Sequence, residues 1–237
     1  NMLNGSRRQT LIRPDNTSMT TVYDNGSMTS TAPTGAVATS SEAPDPRFGL
    51  VAGIPSATVQ NAPGGLTLTS TSAETAVLLD PNAPFSLVTL TNTVVTNGRT
   101  DQSVYDAATK TFTVTSAGGR TSSTTIDSLG RPVEEHITGL EGAYATYDGR
   151  GRVATVTSGS GGSARTTTFA YNAAGYLASV TDPLGRVVSF EYDLSGRVSK
   201  QILPDLREIV LTYDADGNVL TLTPPGKPAH AFAYNEV

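Results

Sequence analysis

The chain has no cysteine and no tryptophan among its 237 residues. The first absence excludes a disulfide framework, a thiolate zinc site and a thiol nucleophile. Histidine is nearly missing as well. His136 and His230 are the only two, and two lone imidazoles without cysteine give no zinc-ligand spacing. Charged residues make up 16% of the chain, well below the roughly 25% of an average soluble domain. The net charge of −5 argues against a nucleic-acid backbone as partner, because that contact is made with Lys and Arg. No apolar run approaches the roughly 18 residues of a membrane helix. No basic-then-apolar leader pattern opens the sequence. Helix formers rarely run together, and only Ala73 to Leu79 reads as a helical turn or two.

Threonine fills the gap with 36 residues, beside 23 glycines and 14 prolines. Thr, Val and Tyr suit a pleated surface. Leu66-Thr67-Leu68-Thr69, Val88-Thr89-Leu90-Thr91 and Phe112-Thr113-Val114-Thr115 alternate apolar and polar. A period of two places the apolar side chains on one face of a strand. Short strands broken by Gly and Asp predict an all-β protein of repetitive antiparallel hairpins.

A repeat organises the C-terminal half. Tyr105-Asp106, Ile126-Asp127, Tyr147-Asp148, Tyr171-Asn172, Tyr192-Asp193, Tyr213-Asp214 and Tyr234-Asn235 are spaced by 21, 21, 24, 21, 21 and 21 residues. The long step contains Ser158-Gly159-Ser160-Gly161-Gly162-Ser163, which fits a longer hairpin loop. Gly130, Gly151, Gly175, Gly196 and Gly217 stand four residues after the first residue of each pair, and Thr109 takes that place in the first unit. Arg131, Arg152 and Arg197 follow directly, with Tyr176 and Asn218 as departures. Pro183, Pro204 and Pro225 each precede the next Tyr by nine residues, as Pro14 precedes Tyr23-Asp24.

Each unit makes sense as a hairpin plus its link to the next. The Asp or Asn folds back on the backbone two residues on and starts a turn. The glycine supplies a positive φ there, and the proline presets the turn at the other end. Val188, Phe190 and Tyr192 share one face of a strand, as do Ile209, Leu211 and Tyr213. On the strand leaving the turn, Val153 and Val156 are three apart, as are Val219 and Leu222. That odd offset predicts a bulge or bend.

These residues are those of the YD repeat, also called the Rhs repeat. Tyr147-Asp148-Gly149-Arg150-Gly151-Arg152-Val153 and Tyr192-Asp193-Leu194-Ser195-Gly196-Arg197-Val198 resemble its signature, and Thr181-Asp182-Pro183-Leu184-Gly185-Arg186 resembles the middle of its unit. The chain is similar to bacterial Rhs-type proteins and, more distantly, to the shells of insecticidal toxin complexes and of teneurins. The resemblance is close over about 100–237, partial over 1–30 and faint between about 32 and 100. It implies hairpins joined into one spiralling sheet that forms a hollow shell, often around a C-terminal toxic or variable domain. In teneurins the shell displays adhesion surfaces. Asp182-Pro183-Leu184-Gly185 lies inside an ordinary repeat, so the family's self-cleavage role is not carried over to it.

The expected organisation is an N-terminal YD-like repeat over 1–30, a Pro/Gly/Ala-rich linker or surface loop over 31–65, degenerate hairpins over 66–104 and regular repeats over 105–237. A small separate β-domain over 50–100 is the alternative. Asp80-Pro81-Asn82-Ala83-Pro84 reads as a turn, and Asn97-Gly98 as a two-residue hairpin. The non-initiator Asn1 and the stop at Tyr234-Asn235-Glu236-Val237 read as those of a fragment whose neighbours are more of the same polypeptide or other copies of it.

No catalytic, metal or cofactor-binding residue is expected. There is no nucleophile elbow and no phosphate loop. Gly149-Arg150-Gly151 opens like a dinucleotide fingerprint but lacks the third glycine. Asp214-Ala215-Asp216-Gly217-Asn218 resembles a calcium loop, yet its twelfth position is Pro225 and not Glu. Composition alone leaves a glycosidase carboxylate pair open, with 21 acids, although acids recurring at a turn position read as structural. The arginines read as partners of nearby carboxylates or carbonyls, with an anionic-glycan groove as the alternative. His136 reads as part of a solvated strand edge and His230 as a packed or partly exposed ring. The sequons at Asn4, Asn16 and Asn25 read as accidental. The sequence therefore predicts a non-catalytic segment of a secreted or surface bacterial shell, with a possible enclosed cargo domain as partner. A carbohydrate- or cell-surface-binding adhesion module is the alternative.

Overall fold

The computed structural model describes residues 6–24 and 26–235. The sequons at Asn4 and Asn25 and the terminal Glu236-Val237 thus fall at least partly outside the described residues. Among the described residues the regular structure is nearly all β, a 20-stranded antiparallel sheet that is not closed. Among the described residues the sole helical element is a 3-10 turn, Gly161–Ser163, in the loop that lengthens one repeat. The chain divides into two compact units, Asn1–Arg131 and Pro132–Val237.

The first unit is a meander of ten strands: β1 (Arg7–Ile12), β2 (Ser18–Asp24), β3 (Ser27–Thr31), β4 (Val37–Asp45), β5 (Gly49–Asn61), β6 (Thr67–Leu78), β7 (Leu87–Thr96), β8 (Arg99–Asp106), β9 (Thr111–Thr115) and β10 (Thr121–Ile126). Each pairs antiparallel with the next. Residues 31–65 are therefore not a linker or surface loop, because β4 and β5 run through them. Proline and glycine in this stretch concentrate in tight turns. Gly35 N–H donates to the Ala32 carbonyl at 2.9 Å, and Gly65 N–H to that of Ala62 at 3.0 Å. Between these turns, small Ala, Ser and Thr side chains still permit a backbone ladder, regular from Val37–Ser41 against Ala57–Asn61 and interrupted by two register shifts beyond. Likewise Ala73–Leu79 is not helical. Residues 70–78 pair with β7, and their exposure alternates residue by residue. Asn97-Gly98 forms the expected two-residue hairpin, with φ of 47° and 80° and Thr96 facing Arg99. The ladder from β7 to β10 crosses the expected 104/105 boundary without a break.

The second unit is built from β11 (Pro132–Ile137), β12 (Ala143–Tyr147), β13 (Val153–Ser158), β14 (Arg165–Tyr171), β15 (Leu177–Thr181), β16 (Val187–Tyr192), β17 (Val198–Ile202), β18 (Glu208–Tyr213), β19 (Val219–Thr223) and β20 (His230–Ala231). These again pair in sequence order. The strand leaving each Tyr-Asp turn is bulged. Tyr147 faces Val153 but Thr146 faces Thr155, so Ala154 is the extra residue. The same slip recurs at Tyr171, Tyr192 and Tyr213. This explains the odd offset of Val153 and Val156, since one added residue restores the shared face.

Threonine works across strands as well as along them. Hydroxyl pairs join Thr146 to Thr155 and Thr212 to Thr221 at 2.6 Å, and Thr157 to Thr166 at 2.9 Å. Among the described residues no hydrophobic side chain is fully buried. The apolar face is half-covered by neighbouring strands, and the order of the sheet rests on its ladders and turns.

Candidate functional site: the tyrosine-aspartate turns

At each regular turn one aspartate organises five residues. Asp148 donates its N–H to the Arg152 carbonyl at 2.8 Å, and its own carbonyl accepts from Gly151 N–H at 2.9 Å. One carboxylate oxygen, Oδ1, accepts from the N–H groups of Arg150 and Arg152 at 2.9 and 3.0 Å. The other, Oδ2, takes Arg152 Nε and Nη2 at 2.8 and 2.6 Å. Gly151 sits at φ 81°, where a Cβ would be strained. The arrangement repeats at Asp127 with Gly130 and Arg131. It repeats again at Asp193 with Gly196 and Arg197.

The arginine also ties its turn to the next hairpin. Arg152 Nη1 donates to the Gly175 carbonyl at 3.2 Å, and its guanidinium lies 4.1 Å from the centre of the Tyr171 ring. Arg197 repeats this on the Asp214 carbonyl at 3.2 Å and on Tyr213 at 4.5 Å. Each tyrosine hydroxyl reaches back to the strand behind it. Tyr147 donates to the Pro132 carbonyl, Tyr171 to Val153, Tyr192 to Leu177, Tyr213 to Val198 and Tyr234 to Val219, at 2.7 to 3.1 Å. The accepting residue always directly follows the arginine position, so the contact skips from one repeat to the next.

Departures keep the plan with other chemistry. Tyr176, at an arginine position, stacks on Tyr192 with ring centres 4.8 Å apart, while Asn172 and Gly175 hold the turn beneath it. Asn218 donates Nδ2 to Asp214 Oδ2 at 3.1 Å, and Gly217 closes that turn. The first regular pair differs more. Tyr105 packs on Phe112 at 4.5 Å, Asp106 accepts from Thr109 N–H at 2.9 Å, and Lys110 adopts the positive φ of 56°. At the N-terminal pair, Asp24 faces Ser27 directly across the β2–β3 hairpin. There Tyr23 donates to Gln9 Oε1 at 3.3 Å and lies 5.1 Å from Arg7.

A second set of turns goes beyond the Tyr-Asp series. Asp182 closes on Arg186 through the same five-residue pattern, with Arg186 Nε at 2.6 Å and Gly185 at φ 78°. The signal was the shared Asp-x-x-Gly-Arg spacing, without the tyrosine. In the following unit Leu206 occupies the glycine place at φ 65°.

The carboxylates of the Asp-Arg turns at Asp127, Asp148, Asp182 and Asp193 are held below the usual carboxylate range. The Arg152 guanidinium, followed by backbone N–H donors, lowers the Asp148 pKa to about 2. The Arg131 guanidinium lowers that of Asp127, and backbone N–H donors at Arg197 and Arg186 lead in lowering those of Asp193 and Asp182. This is opposite to what a general acid needs. His136 Nε2 lies 2.8 Å from Glu134 Oε1, and its ring meets the Tyr144 ring edge-on at 5.8 Å. His230 is exposed on the short β20. Among the described residues no three His, Cys, Asp or Glu side chains converge as metal ligands. The turns thus link one hairpin to the next.

A family model described as Teneurin YD-shell matches residues 4–236, including the stretch between 32 and 100. No curated protein sequence matches the chain. Among solved structures, the crystal structure of TcdB2-TccC3-Cdc42 superposes with a TM-score of 0.57 at 12% identity, over 98% of this chain and 12% of that one. TcdB2-TccC3 without its hypervariable C-terminal region gives 0.56 at 12% identity, over the same shares of the two chains. The Photorhabdus luminescens Tc holotoxin pore gives 0.54 at 13% identity, over 94% of this chain and 11% of that one. The likeness is one of fold, and this chain spans about an eighth of the length of the proteins it matches.

Proposed function

Because the chain belongs to the teneurin YD-shell family, we propose that it is a non-catalytic wall segment of a secreted or surface-exposed shell, whose neighbours are further repeats of one polypeptide and whose interior holds a cargo domain. One observation carries this reading. The tyrosine of a repeat reaches back to a carbonyl of the repeat before it, and Arg152 and Arg197, each held by the aspartate of its own turn, reach forward over the ring of the repeat after. Residues used that way propagate a sheet, and stacked hairpins supply each other's missing contacts. The likeness to Tc toxin structures supports the wall role. Cargo enclosure and a secreted location extend that likeness to this chain.

Protease protection tests the proposal. In the full-length parent, a segment distinct from the repeats is expected to survive limited proteolysis until the wall is opened by denaturant. Cleavage of every non-repeat segment at the rate of a free peptide would overturn enclosure. Saturable glycan binding that is lost on Arg152→Ala would favour an adhesion surface instead.

A further inference from the structure

The turn at Asp182 treats its arginine differently from those at Asp148 and Asp193. Arg152 and Arg197 carry their guanidiniums on to a carbonyl and a ring of the next hairpin, and their side chains are only 27% and 31% exposed. Arg186 holds Asp182 through Nε at 2.6 Å and is 64% exposed. Its Nη1 and Nη2 make no bond to the protein among the described residues. A second arginine stands beside it. The hairpin between β13 and β14 is the one lengthened by Ser158-Gly159-Ser160-Gly161-Gly162-Ser163, and its return strand opens with Arg165, opposite Ser158. The Arg165 side chain is exposed and makes no ion pair or hydrogen bond among the described residues. Thr168 of β14 faces Thr181 of β15, and the same register run on by three residues brings Arg165 level with Leu184. Ala164, Arg165, Asp182, Pro183, Leu184 and Arg186 together line a cavity of about 380 Å³.

We infer that this cavity binds a small carboxylate that carries an apolar group. Two guanidiniums against one carboxylate leave the lining with a single positive charge in excess, which matches a carboxylate better than a phosphate dianion. Asp182 does not compete for Arg165, because its own oxygens are engaged. Oδ1 accepts from the N–H groups of Leu184 and Arg186 at 2.9 Å, and Oδ2 takes Arg186 Nε. A guanidinium presents paired N–H donors that fit the two oxygens of a carboxylate. Ala164, Pro183 and the exposed Leu184 supply an apolar wall for the rest of the ligand. The volume lies at the lower end of small-molecule sites, which suits a short acid. The wall role gives no reason for the lengthened loop; the cavity does, since Ala164 at the loop's end closes one side of it.

Titration of the isotope-labelled intact chain with hexanoate, followed by amide NMR shifts, tests this. Saturable shifts are expected at Arg165, Leu184 and Arg186, with none for hexanamide at equal concentration. Arg165→Ala is expected to weaken binding roughly tenfold and to leave the urea midpoint unchanged, because that side chain bonds nothing in the fold. Arg165→Lys keeps the charge without the fork and is expected to fall between the two. Arg207→Ala removes a turn arginine of equal exposure, 65%, and is expected to leave binding unchanged. Shifts that never saturate, equal shifts with hexanamide, or an equal loss in Arg207→Ala would overturn the site. Tighter binding of inorganic phosphate than of hexanoate would overturn its assignment to a carboxylate.

Discussion

Leu206 holds a left-handed backbone that its equivalent, Gly185, adopts without a Cβ. Its side chain is 81% exposed, so little burial offsets the strain. Leu206→Gly is expected to stabilise the protein by about 1 kcal/mol, read from urea midpoints. Gly196 gives the opposite case. Its φ is +80°, and an added Cβ would strike the Tyr176 ring that stacks on Tyr192. At Gly185 the same Cβ meets nothing. Gly196→Ala is therefore expected to cost about 1 kcal/mol more than Gly185→Ala, and equal losses would remove Tyr176 from the account. The aspartates set the pH response. A carboxylate whose folded pKa is lowered binds fewer protons folded than unfolded, so its contribution is full above the usual range and lost on acidification. For Asp148 that loss runs from about pH 4 down to about 2. Urea midpoints are expected to fall on going from pH 6 to pH 3, and Asp148→Asn to make that fall shallower.

The hairpin and its link form the next scale. Arg197 and Tyr213 sit in successive turns, so their contact binds elements as well as residues. A double-mutant cycle of Arg197→Ala and Tyr213→Leu is expected to show coupling of about 0.5–1 kcal/mol; a zero coupling would reduce the arginine to its bonds with Asp193 and the Asp214 carbonyl. Much of this scale was legible beforehand. Spacing located the turns, and the offset of Val153 and Val156 announced the bulge. The arginine-to-ring contact was not legible, because spacing along a chain does not say which side chain lies over which across a sheet. Nor was β4–β5, where proline and glycine suggested a linker although Pro44, Gly53 and Pro55 lie within the strands, at or beside register shifts of the ladder.

At the scale of the molecule, 15753 Å² stays accessible, against about 10,000 Å² for a globular monomer of this mass. Unfolding therefore exposes less new surface than in a globular chain of equal length. The urea m-value is expected to lie clearly below the size-matched norm, and a normal value would mean that the faces are covered in solution. The sequence by itself determined the strands and turns of the regular repeats and the step between them, because these follow from side-chain alternation and from backbone angles that Gly, Asn and Asp favour locally. Only the tertiary structure decided where neighbouring strands hold one register and where they slip. That choice depends on which donors are left facing each other once a bulge and a proline have shifted the ladder.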